Sequence, residues 1–83
     1  MHLIKYVKFR EEKFGGVLFE TRSEKVYTLN AVAAAVIREI NAGCDEAEIV
    51  RRLKERFEAS DETIEREALA FIADLRQKGL AQD

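Results

Sequence analysis

A period-two alternation of apolar and polar residues runs through the first third of the chain, and a helical repeat through the rest. In "LIKYVKF", Val7 and Phe9 fall on one side and Tyr6, Lys8 and Arg10 on the other, the pattern of a half-buried strand. "REEKFGG" follows as a polar connection in which Gly15 and Gly16 are free to take positive φ. "GVLFETR" sets Val17, Phe19 and Thr21 against Leu18 and Glu20, "RSEK" is a tight turn, and "KVYTL" sets Tyr27 and Leu29 against Val26 and Thr28. The simplest inward set is Val7, Phe9, Val17, Phe19, Tyr27 and Leu29. This predicts a three-stranded antiparallel meander with one buried face.

The helical part is punctuated by its caps. Asn30 is a good N-cap for the alanine-rich "AVAAAVIREI", whose apolar face is Ala33, Val36, Ile37 and Ile40, and Gly43 ends it. Asp45 with Glu48 reads as a capping box opening a second helix, with Ile49, Val50, Leu53 and Phe57 as its stripe. Ser60 or Asp61 caps a third, in which Ile64, Ala68, Phe71, Ile72 and Leu75 form one core stripe. Leu69 stands off that stripe, beside Glu65, Ala73 and Arg76. Gly79 caps this helix, and Leu80 is expected to fold back onto the core.

Strands followed by helices predict an α+β domain, a three-stranded antiparallel sheet followed by three helices packed on one face, which is also the content of a winged helix. The length, 83 residues, fits one domain spanning 1–83. Hydrophobic residues make up 47% and charged residues 36%, a balance that supports a folded core rather than disorder. A net charge of −2 provides no general field for nucleic acid or an anionic membrane. With no long apolar run and no signal-peptide pattern, the protein is expected in the cytoplasm.

Catalytic chemistry has little to stand on. Cys44 is the one cysteine, which excludes an internal disulfide or a multi-cysteine zinc site, and it reads as a dispensable loop thiol. The one histidine, His2, sits at an end expected to fray. Glu11, Glu12 and the carboxylates of the last two helices read as a solvated surface rather than an acid–base pair. No enzyme activity, metal or cofactor is expected. For DNA binding, "RRLKER" at Arg51–Arg56 is basic, but the third helix would carry Asp61, Glu62, Glu65, Glu67 and Asp74 toward phosphates.

The third strand offers more. It is an edge in a meander, and "KVYTL" has no proline and only Lys25 to discourage pairing. A groove between that edge and the third helix would accept an extended peptide as a further strand, with Leu69 in its apolar floor. A winged-helix DNA-binding domain and a dimerisation module using the same edge are the alternatives.

"YTLNAVAAAVIREINAG", then "EIVRRLKERF" and "ALAFIADLRQKGL", resemble the PqqD-like family of peptide chaperones, the RiPP recognition elements. Leu29-Asn30, Ala34, Ile37, Gly43, Ile49-Val50, Leu53, Phe57, Phe71, Leu75 and Gly79-Leu80 stand where that family's pattern has them, over about Val7 to Leu80. "NAG" at Asn41–Gly43 replaces the family's usual aspartate-glycine break. The resemblance implies a domain that clasps the leader of a precursor peptide and presents it to a modifying enzyme, typically a radical S-adenosylmethionine protein. Carried onto this chain, the groove comprises Lys25, Val26, Tyr27, Thr28 and Leu29 on the strand, with Glu62, Arg66, Leu69, Ala73 and Arg76 on the helix.

Overall fold

The elements follow from local signals in chain order. A computed structural model describes residues 1–83: β1 His2–Leu3, β2 Val7–Glu12, β3 Gly15–Glu20, β4 Lys25–Leu29, α1 Ala31–Asn41, α2 Glu46–Arg56, α3 Asp61–Gln77 and β5 Ala81–Gln82. β2, β3 and β4 form the antiparallel meander in that order, with β3 in the middle. Helix α1 lies between this sheet and the other two helices. Its run of small residues, Ala33, Ala34 and Ala35, is buried and lets its neighbours approach closely.

All three helices are capped by side chains. Asn30 Oδ1 accepts the Ala33 N–H at 2.9 Å, Asp45 forms the full capping box with Glu48, and Ser60 accepts from Thr63 at 3.2 Å. Each such cap is typically worth about 1 kcal/mol. Between the two candidates for the third cap, the structure selects Ser60. After α3 the Leu80 N–H bonds the Leu75 carbonyl at 2.9 Å, and Leu80 is buried. Gly79 takes a φ of +72°, the left-handed conformation that closes such an end.

Two expectations are corrected. Cross-strand pairing sets Phe9 opposite Leu18 and Leu18 opposite Tyr27, so Leu18, not Val17 or Phe19, faces α1 with Val7, Phe9, Tyr27 and Leu29. Phe19 lies on the far face, with the Arg10 guanidinium 5.5 Å from its ring centroid, and Val17 lies on that face too. Glu20 shares the inner face and is buried. The second correction concerns His2, which is not frayed. β1 pairs with β5 antiparallel, His2 opposite Gln82 and Leu3 opposite Ala81. The two ends of the chain thereby close one edge of the core, and Ile4 extends the contact by bonding Leu80 O.

Candidate functional site

Two strands of the meander are edges, and they differ chemically. β2, "VKFREE", carries four charged residues out of six, the usual protection of an edge against pairing. β4, "KVYTL", carries one. Outside its ladder with β3, no backbone group of Lys25–Leu29 takes part in any hydrogen bond, and no side chain bonds to them. The middle of this strand presents Val26, 57% exposed, on the outer face and half-buried Tyr27 on the inner one.

The turn before β4 is built around Glu20. Its carboxylate accepts the Ser23 N–H at 2.6 Å and the Ser23 hydroxyl, and also the Arg22 N–H at 3.3 Å and Nε–H at 3.2 Å. The Ser23 hydroxyl, then the Ser23 amide, hold its pKa down from 4.5 to about 2, against the opposing effect of burial. A folded-state pKa below the unfolded one means stabilisation that is complete above pH 4.5 and lost as pH falls toward about 2. Denaturant midpoints recorded across that window should therefore fall more steeply for the wild type than for Glu20→Gln. Parallel pH profiles would show that the turn does not depend on the carboxylate charge.

Helix α3 packs against α1 and α2 and barely meets β4, so any channel beside the strand is bounded by the side of α3 that turns to it. The side of α3 turned to that channel is identified by Lys78, whose Nζ lies 6.0 Å from the Tyr27 ring centroid. Phe71 is two helical turns earlier on the same side, half-buried against the core, and Asp74 between them is ion-paired with Lys78. Residues two apart on a helix point to nearly opposite sides, so Leu69 turns away from this channel. It lines a cleft of about 440 Å³ with Ala47, Val50 and Lys54 of α2. Arg76 also turns that way, to Glu46 of α2 at 3.5 Å and to Asp83 at 2.9 Å. Glu62, Arg66 and Ala73 are exposed. The ten residues singled out from the sequence are thus not one surface: the strand residues form the edge, while Leu69 and Arg76 belong to the α2–α3 side. Lys78 approaches Tyr27 of the strand, and helical spacing puts Phe71 on that same side of α3.

No other group assembles into a reaction centre. Cys44 is buried among the core residues rather than loose in its loop, and its thiol donates to Glu39 at 3.6 Å. Burial pushes its pKa up, which works against a thiolate nucleophile. Glu11 pairs with Arg38 at 3.1 Å and Glu12 with Arg10 at 3.2 Å. No three metal-ligating side chains converge. No helix is long and apolar enough to cross a membrane. The basic run of α2 is largely neutralised, Arg51 by Glu55, Arg52 by Glu39 and Lys54 by Glu65.

The fold and this edge define a class: a small α+β domain with a helix held beside a free, weakly charged strand. Residues 15–81 match the family model for Coenzyme PQQ synthesis protein D (PqqD), and the chain belongs to that family. No curated protein sequence matches it significantly. Among solved structures it is similar to TbiB1 in complex with the TbiA(beta) leader peptide, at 22% identity over 100% of both chains with a TM-score of 0.83. It is also similar to lasso peptide synthetase B1 complexed with the leader peptide, at 24% identity over 99% of this chain and 96% of that one, with a TM-score of 0.81.

Proposed function

We propose that this protein is a non-catalytic adaptor that binds the leader of a ribosomally made precursor peptide and presents it to a modifying enzyme. The observation that carries the reading is the unpaired edge of β4 beside a helix that stands clear of it. An extended peptide pairs with Lys25–Leu29 as a fourth strand, and its inward side chains enter the channel bordered by Tyr27, Phe71 and Lys78. Membership of the PqqD family supports the reading, and so does the likeness in fold to two proteins solved with leader peptides. A radical S-adenosylmethionine maturase is the partner that the family resemblance implies. DNA binding fits less well, because three of the four cations of α2 are paired and α3 exposes five carboxylates, Asp61, Glu62, Glu65, Glu67 and Asp74.

Titrating the isotope-labelled domain with the leader of a precursor encoded beside it tests the mode. Amide shifts are expected in 25–29 and on the Phe71–Lys78 side of α3. Leu69→Ala is expected to change affinity by less than about two-fold, because a side chain outside the contact contributes little to binding. A loss of about ten-fold, equal to about 1.4 kcal/mol, would place the peptide in the α2–α3 cleft. Absence of shifts in β4 would defeat strand addition.

A further inference from the structure

A hollow of about 500 Å³ lies beside the turn that precedes β4, and two cations stand in its wall. Lys5 and Tyr6 line it from the β1–β2 connection, Arg22 from the turn before β4, and Gly79 from just after α3. The hollow thus adjoins the segment just before β4 and the segment just after α3. No carboxylate lines it. The Tyr6 ring gathers the cations: the Arg22 guanidinium is 4.2 Å and the Lys5 ammonium 5.1 Å from its centroid. At these distances the ring quadrupole attracts a cation.

These charges are available to a ligand. Lys5 and Lys25 take part in no ion pair, and Arg22 commits only its Nε, to Glu20, while its side chain remains 60% exposed. The nearest acids are otherwise occupied. Glu20 is spent on the turn, Asp74 is paired with Lys78, and Asp83 with Arg76. Glu24 lines a separate hollow with Phe19, Glu20 and Lys25, so Lys25 stands apart from the Lys5–Arg22 pair.

We propose that this hollow receives an acidic stretch of the same peptide that pairs with β4. The ligand class is then an extended segment with Asp or Glu residues flanking one end of its strand-forming part. The proposal rests on the strand-addition reading and adds the chemistry of the flank. A peptide paired along the five residues of β4 spans about 17 Å, so the next few residues beyond Lys25 pass over Arg22 and Lys5. Single rim pairs contribute little. Lys5 and Arg22, with no carboxylate in the hollow, act together, and they also speed the encounter with an acidic segment.

The test is a displayed library of random peptides, selected on the full wild-type chain and on Lys5→Glu. Lys5 is exposed and its side chain makes no hydrogen bond or ion pair, whereas Arg22 helps hold its turn, so Lys5 is the cleaner position. Wild type is expected to enrich an apolar core with Asp or Glu clustered on one flank. Those peptides should bind Lys5→Glu about ten-fold more weakly, with the difference shrinking as salt rises. Enriched peptides that shift β4 amides yet carry no acidic flank overturn the hollow and leave strand addition standing. Failure to enrich any peptide that perturbs β4 overturns both. Lys5-dependent binding of a DNA duplex in place of acidic peptides assigns the hollow to phosphate and overturns the proposal.

Discussion

Replacing Leu18 by alanine is expected to cost the domain about 2–5 kcal/mol, and replacing Phe19 by alanine only roughly 1 kcal/mol. Leu18 is 1% exposed at the centre of the middle strand, between Phe9 and Tyr27, and it belongs to the main core. Removing its branched end leaves a cavity that strands fixed on both sides cannot close. Phe19 is half-buried on the opposite face, where its truncation exposes Arg10 and the sheet to water without opening the core. Because such a domain has only about 5–15 kcal/mol of stability, the first change is a large fraction of the whole. Denaturant unfolding of the two variants side by side reads the difference. Equal costs, or the reverse order, would mean that β3 is registered one residue away from the pairing described above.

That contrast marks where the sequence is legible and where it is not. The helices are readable because their signals are local: Asn30, Asp45 and Ser60 each act within three residues of themselves, and the stripe of α3 repeats at helical spacing. The facing of β3 is not readable, since Val17, Leu18 and Phe19 are all apolar and either parity buries a reasonable set. Only pairing with both neighbours decides it, together with the room for the Phe9 ring that Gly16 provides. Glu20 sits inward, against its composition, because the turn supplies four donors that no periodicity reveals. β1 and β5 are two residues each, too short to carry any alternation. At the site, the free edge of β4 follows from strand count and composition. Which flank of α3 turns toward it depends on where α2 packs, a tertiary fact that the spacing of Leu69 and Phe71 does not reveal.

Gly15→Ala is the substitution expected to disturb both fold and site at once. Gly15 has a φ of +149°, and a Cβ there would stand 2.2 Å from the Leu29 carbonyl oxygen and 2.5 Å from the Asn30 carbonyl carbon. Both contacts are to backbone, so no side chain can rotate away. Leu29 ends β4 and Asn30 caps α1, which means one methyl group pushes the β2–β3 hairpin off the junction that carries the edge and the cap together. Backbone strain and overpacking each cost about 1–3 kcal/mol, and a weakened cap about 1 kcal/mol more. The expected loss is about 3 kcal/mol or more, a fall in Tm of about 10–20 °C for a domain of this size. Gly79→Ala supplies the control: its φ of +72° is in the left-handed region, which alanine adopts at less cost than a φ of +149°, and nothing lies within 4 Å of the added Cβ. It should show strain alone, about 1 kcal/mol. Below its melting temperature, Gly15→Ala should also bind peptide more weakly than Gly79→Ala, because the end of β4 is displaced. If thermal melts of the two variants coincide, the hairpin does not press on the strand–helix junction, and the edge of β4 is positioned by something else.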